Sequence, residues 1–76
     1  MGIKVIHNGY NIKFLNNLDE VRQYIEEVLE PYKHLNPTLI MDRTVSGNNN
    51  TDGAKVRLIR YRYRTLYEED FILEYN

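Results

Sequence analysis

The sequence predicts an α+β domain in the order β-β-α-β-β-β, with a mainly antiparallel sheet and one amphipathic helix packed on one face. Three observations support this fold class. Asn8-Gly9 lies between two alternating segments, apolar residues recur at helical spacing after Asn17, and the last third of the chain contains two alternating segments joined by a loop. The 76 residues are enough for one domain. We therefore treat 1–76 as a single domain without a linker or a second domain.

Residues 3–15 predict a β-hairpin, because Asn-Gly is the sequence that a two-residue type I′ turn prefers. With Asn8-Gly9 as the turn, Lys4 would lie opposite Lys13 on one face of the hairpin. The other face would be a core face. It would consist of Ile3, Val5, Tyr10, Ile12 and Phe14.

A helix is predicted at about 18–30. Asn17 is a suitable N-cap, and Glu20 stands at the position that completes a capping-box-like pair. Pro31 ends the helix because it cannot continue the hydrogen-bond ladder. Arg22 precedes Glu26 by four residues, so we expect a weak ion pair between them. The apolar stripe of the helix consists of Leu18, Val21, Ile25, Val28 and Leu29.

A third strand is predicted at 38–45 and a fourth at 54–64. The polar loop 46–53 between them makes a hairpin. The register of this hairpin stays open, because Val56 and Leu58 would lie on the same face of the strand as the arginines and not on the face of Ile59. The pattern requires either a bulge near Leu58 or burial on both faces of the strand. The order of the strands in the sheet also stays open.

A fifth strand is predicted at 70–75. With a loop at 65–69, Tyr61 would face Leu73 on the inner side and Arg60 would face Glu74 on the outer side. The same register would place Arg64 opposite Asp70 and would leave Arg62 opposite Ile72. Two of the three alternating arginines would then be neutralised, and Arg62 would have no acidic partner.

Composition narrows the functional classes. The net charge is −1, cysteine is absent, and 42% of the residues are hydrophobic. The absence of cysteine excludes disulfides and thiolate catalysis and fits a reducing compartment. The first residues show no signal peptide and no stretch is long enough to span a membrane, so we expect a cytoplasmic protein. The abundance of Tyr, Asn, Ile, Lys and Glu is typical of a low-GC bacterium or one of its phages.

No catalytic or cofactor motif is present, and we expect the protein not to be an enzyme and to bind neither cofactor nor metal. His7 flanks a turn and His34 lies in a connector, without the partner and pocket that a general base needs. The run 68–70 is explained by a charged turn. The segment 48–53 resembles the start of a calcium loop but lacks the closing bidentate acid. The sequon at Asn49 matters only in a secreted protein.

The sequence therefore favours a small protein-binding module, such as a phage-encoded or bacterial inhibitor or adaptor acting on a larger host protein. The alternative is nucleic-acid binding through a basic sheet face. A homodimer formed by pairing of edge strands is a further expectation. The candidate basic surface consists of Arg60, Arg62, Arg64, Lys4 and Lys13. The candidate acidic surface consists of Glu20, Gln23, Glu26, Glu27 and Glu30.

Overall fold

A computed structural model describes residues 2–46, 55–64 and 67–75, and it has the predicted α+β order. The hairpin loop between the third and fourth strands, with the calcium-like segment and the sequon, lies outside the described residues. No helix within the described ranges is long and apolar enough to cross a membrane. The elements are β1 (Ile3–His7), β2 (Asn11–Leu15), α1 (Leu18–Leu29), a 3₁₀ helix (Glu30–Leu35), β3 (Thr38–Ser46), β4 (Lys55–Arg62) and β5 (Glu68–Tyr75).

The five strands form one sheet in the order β2-β1-β5-β4-β3, and all neighbouring pairs are antiparallel. The fifth strand of the chain is therefore the central strand of the sheet. We call the side that α1 packs on the covered face and the opposite side the open face. The core lies on the covered face and contains Ile3, Val5, Val21, Ile25, Ile59, Phe71 and Leu73.

The helix begins where the capping residues predict. The Asn17 side chain accepts a hydrogen bond from the Glu20 N–H at 2.9 Å. The Glu20 carboxylate accepts in return from the Asn16 N–H, also at 2.9 Å, one residue before the expected donor. Pro31 lies in the first turn of the 3₁₀ helix, so the α-helical part ends at Leu29. The predicted ion pair between Arg22 and Glu26 was wrong, because Arg22 contacts Asp19 at 3.3 Å.

The first hairpin has a different register from the predicted one. Val5 pairs with Lys13 rather than with Ile12, because the loop between the strands is three residues long. Asn8 and Gly9 both have positive φ, as a turn of this sequence requires. A shift of one residue moves every side chain of a strand to the other face. The correction therefore places Ile12, Phe14 and the loop residue Tyr10 outside the core, at 52%, 73% and 77% exposure.

The last hairpin keeps the predicted faces but not the predicted pairs. Arg60 pairs with Asp70 rather than Glu74, and Tyr61 pairs with Glu69 rather than Leu73. The cause is a connection that lies two residues earlier in the chain than predicted, since β4 ends at Arg62 and β5 begins at Glu68. The Tyr63 N–H donates to the Tyr67 carbonyl at 3.1 Å. A register shift by an even number of residues leaves each side chain on its face.

The β3–β4 pair resolves the open question about Leu58. The irregularity lies in β3, between Leu39 and Met41, while β4 runs through Leu58 without a bulge. Val56 and Leu58 are half-buried on the open face, next to the arginines. The fourth strand thus carries apolar residues on both sides.

Candidate functional site

A cleft of about 350 Å³ runs along the covered face between α1 and the β3–β4 half of the sheet. It exists because a single helix covers only part of a five-stranded sheet. Leu18 on the helix and Leu39 on the edge strand are each 46% exposed at its two sides. The apolar residues that line the cleft are Leu18, Val21, Ile25, Leu29, Leu39, Ile59 and Tyr61.

An ion pair closes the sheet side of this cleft. Arg57 donates two hydrogen bonds, each of 2.8 Å, to the two carboxylate oxygens of Asp42. The hydrogen bond from Arg57 is the main reason that the pKa of Asp42 lies below its ordinary value, and the pKa of Arg57 is raised in turn. Both groups stay charged and satisfy each other. The sheet side of the cleft therefore offers little net charge to a partner.

The helix side of the cleft carries one charged residue of each sign, Arg22 and Glu26, and further acidic residues lie beside it on the helix. Gln23, Glu26, Glu27 and Glu30 border one shallow depression on α1, and Glu26 also lines the cleft. These four residues belong to the predicted acidic surface. The fifth, Glu20, is held at the start of the helix by its bond to Asn16. Within the described part of the chain, the carboxylates of Glu26, Glu27 and Glu30 form no ion pair, and Lys33 borders a neighbouring depression together with Glu26 and Glu30.

The residues of the predicted basic surface lie in three different places. Lys4, Arg60 and Arg62 are on the open face. Lys13 is on the covered face, with its ammonium 5.6 Å from the centre of the Tyr24 ring. Arg64 lies beyond the end of β4, where its φ is 112°. The expectations that Lys4 faces Lys13 and that Arg64 faces Asp70 were therefore wrong.

Three cations of the open face, Lys4, Arg60 and Arg62, lie beside carboxylates. Arg60 donates to Asp70 at 2.6 Å, and Arg62 donates to Glu68 at 2.6 Å. Arg62 was predicted to lack an acidic partner, and the changed register of β5 corrects this by placing Glu68 opposite it. Lys4 lies 3.9 Å from Glu74. Each of these three cations thus has an acidic neighbour.

An apolar row crosses the open face. Ile12, Ile6, Ile72 and Leu58 lie directly opposite one another on β2, β1, β5 and β4. Phe14 stands beside the row on β2. Sequence reasoning missed this row because it assigned Ile12 to the core. Ile6 lies two residues after Lys4, and Ile72 lies two residues after Asp70, so each isoleucine is on the same face of its strand as the charged residue. This alternation could have revealed the row from the sequence.

A buried carboxylate organises one end of the covered face. Glu69 is 7% exposed and is hydrogen-bonded by His7 Nε2 at 2.5 Å, Tyr63 Oη at 2.6 Å and Asn8 Nδ2 at 3.0 Å. Burial raises the pKa of this carboxyl, but the bonds from Tyr63, His7 and Asn8 together outweigh burial and hold the pKa below its ordinary value. His7 also stacks on Phe71, with ring centres 5.0 Å apart.

Sequence reasoning treated Glu69 as part of a charged turn and did not connect it with His7. Glu69 alternates in step with Phe71 and Leu73 along β5, and this spacing could have placed its side chain on the covered face. The side chains of His7 and Glu69 are only 12% and 9% exposed. The pair therefore has little contact with solvent, and its geometry is that of an internal polar network that ties β1 and β5 to Tyr63, the residue that follows β4. His34 lies near the end of the 3₁₀ helix, away from this network.

Among the side chains of the described ranges, no group of three histidines and carboxylates is placed to hold a metal ion. No family model, no curated protein and no solved structure matches the chain.

Proposed function

We propose that the protein is a small non-catalytic binding module that takes an amphipathic, basic helix of a larger protein into the cleft beside α1. The observation that carries this proposal is an open apolar cleft with a row of carboxylates beside it, none of which forms an ion pair within the described part of the chain. Leu18 and Leu39 leave nearly half of their surface in water at its sides. Glu26, Glu27 and Glu30 lie along the adjacent helix surface.

A helix is the occupant that this shape fits. The cleft runs between a helix and the sheet that it packs on, which is the place where a second helix would cover the remaining half of the sheet. A partner helix buries its apolar side chains at positions i, i+3, i+4 and i+7 in such a groove. Lysines or arginines on its flank would meet the carboxylates of α1. Complementary charges of this kind raise the association rate and determine orientation.

The alternative, nucleic-acid binding through Arg60, Arg62, Arg64, Lys4 and Lys13, has weaker support. Affinity for phosphates comes from several cations whose charge is not already neutralised. Arg60, Arg62 and Lys4 each have a carboxylate neighbour, and Lys13 and Arg64 lie elsewhere. We further propose that the protein is an inhibitor or adaptor in the cytoplasm of a low-GC bacterium or in a cell infected by its phage, a source that fits the residue composition.

A helical peptide of leucine and lysine with an apolar stripe at i, i+3, i+4 and i+7 tests the proposal. It is titrated into methyl-labelled protein and followed by NMR, beside a peptide with glutamate in place of lysine. We expect the lysine peptide to shift the methyl signals of Leu18, Leu29 and Leu39 and to bind at least about tenfold more tightly than the glutamate peptide. Tenfold corresponds to about 1.4 kcal/mol.

Two variants that each introduce one lysine form a matched pair of test and control. Leu39→Lys changes an exposed strand residue at the cleft, and Ile12→Lys changes an equally exposed strand residue on the open face. The first should weaken binding of the lysine peptide, and the second should leave it unchanged. Equal binding of both peptides, or equal loss in both variants, would reject the cleft as the binding site.

A further inference from the structure

We propose that the open face packs against the open face of a second copy of the chain, which would make the protein a homodimer of face-to-face sheets. This inference concerns the side of the sheet opposite the cleft and does not depend on the proposed function. It begins with the apolar row of Ile12, Ile6, Ile72 and Leu58.

The row is long enough to form the centre of an interface. Neighbouring strands lie about 4.8 Å apart, so the row extends roughly 15 Å across four strands. Phe14 is 73% exposed and Ile12 52% exposed at its β2 end. A solvated face of an antiparallel sheet carries alternating polar residues, whereas four aliphatic residues side by side are typical of a face that is covered.

The charges beside the row favour a second copy over a strongly charged partner. Lys4 and Glu74 lie on one side of it, and the cluster of Arg60, Asp70, Glu68 and Arg62 lies on the other. Lys4, Arg60 and Arg62 are each matched by an acid of the same face, and Arg43, opposite Leu58 on the edge strand β3, is a further cation without an acidic partner among the described residues. Two identical faces therefore meet with little net charge. A twofold interface requires such self-complementarity, because the same patch contributes both sides. The ion pairs would form the polar rim around an apolar centre.

The available area is adequate for a dimer. Stable interfaces bury about 800 Å² on each partner, which is about one-seventh of the 5613 Å² of accessible surface of this chain. One face of a five-stranded sheet supplies an area of this order. Sheets that pack face to face lie about 10 Å apart, with the side chains of both inner faces interdigitating.

The edge strands are less suited to dimerisation than the face. The first edge, β2, is only five residues long. The other edge, β3, is interrupted by an irregularity between Leu39 and Met41. Short and bulged edges are the devices by which proteins prevent strand addition. The expectation of a dimer by edge pairing is therefore replaced here by face-to-face packing.

Sedimentation equilibrium of the whole chain, over about 1 µM to about 1 mM, tests the proposal. We expect a mass of twice the 9.1 kDa of one chain at the upper end. Ile12→Lys should weaken dimerisation at least about tenfold, because each copy would bury a lysine in the apolar interface. Leu39→Lys, at the cleft, should leave the dimer intact. Circular dichroism verifies that both variants are folded.

Phe14→Lys provides a second test if Ile12→Lys unfolds, because Phe14 is more exposed than Ile12. A monomer at all concentrations would overturn the proposal. A dimer that survives Ile12→Lys and Phe14→Lys would also overturn it, as would a dimer that dissociates only in Leu39→Lys. Loss of peptide binding in the cleft with an intact dimer would reject the proposed function alone.

Discussion

The two faces of the sheet are built from the same strands, but the helix buries one of them and leaves the other exposed. On the covered face Val5, Phe71 and Leu73 are completely buried under α1. On the open face Ile12 and Phe14 keep more than half of their surface in water. Both faces nevertheless carry apolar side chains directly opposite one another. Apolar patterning alone therefore does not tell which face the helix of the same chain will cover.

The polar groups of the two faces also differ in their exposure to solvent. The carboxylate of Glu69 on the covered face is enclosed by three hydrogen-bond donors, His7, Asn8 and Tyr63. The carboxylates of the open face bind arginines whose side chains are 36% and 49% exposed. Hydrogen bonds to a buried charge are worth more than exposed ion pairs. We therefore expect mutations of comparable chemistry to have much larger effects on the covered face.

The largest difference is expected between two phenylalanines. Phe71→Ala removes a fully buried ring and should lower the free energy of unfolding by about 3–5 kcal/mol. Phe14→Ala removes a ring that is 73% exposed and should change it by less than about 0.5 kcal/mol. Urea unfolding, performed at protein concentrations at which the chain is monomeric, measures both. Similar losses in the two variants would contradict the assignment of the faces.

The next effect concerns Glu69. Glu69→Gln leaves one side-chain oxygen to accept hydrogen bonds from three donors, so at least one buried donor loses its partner. We expect the free energy of unfolding to fall by about 1–3 kcal/mol at neutral pH. The folded state lowers the pKa of Glu69, so its contribution is complete above the unfolded value of about 4.3. The contribution is lost as the pH falls through the lower pKa of the folded state.

Urea unfolding across the acidic range checks this dependence. The difference in stability between wild type and Glu69→Gln should shrink as the pH falls below about 4.3. Asp42, whose pKa is also lowered, titrates in both proteins and cancels in the comparison. A difference that stays constant with pH would mean that Glu69 contributes through its shape rather than its charge.

The smallest effect is expected on the open face. Arg62→Gln removes an exposed ion pair with Glu68 and should cost less than about 1 kcal/mol of stability.

Since the charge of Arg62 is already compensated, we also expect no binding of labelled single-stranded or duplex DNA and RNA at low salt. Fluorescence anisotropy over a salt series measures this. Binding that tightens steeply at low salt and is weakened in Arg62→Gln would instead support the nucleic-acid alternative.

Local signals predicted the elements well. The Asn17 cap, Pro31 and the apolar stripe placed the helix to within a residue, because each depends on residues close in the chain. The faces of β4 and β5 were also predicted correctly, since strand parity depends only on alternation. The exact pairs were not, because any even shift satisfies the same parity. The observed register brings Glu69 next to Tyr63 and His7, a contact among three strands that no local pattern encodes.

The first hairpin shows how close two registers can be. Both Phe14 and Leu15 are apolar, so the pattern of β2 accommodates either residue in the core. The structure selects Leu15, and Asn8 explains the selection. The Asn8 N–H donates to the carbonyl of Asp70 while its side chain accepts from the Asp70 N–H, each at 2.8 Å. Asn8 thus continues the pairing with β5, which lengthens the loop by one residue and reverses the faces of β2.

The central position of β5 has a consequence for folding. The β1–β2 hairpin and the β3–β4 hairpin form from neighbouring residues, but in the sheet they are joined only through the strand that is last in the chain. Pairs such as Ile3 with Tyr75 close a loop of nearly the whole chain. Contacts of this kind raise the contact order and slow folding, because loop entropy is lost before the contacts are gained. The two hairpins should therefore form early, and insertion of β5 between them should be the step that commits the chain to its native state.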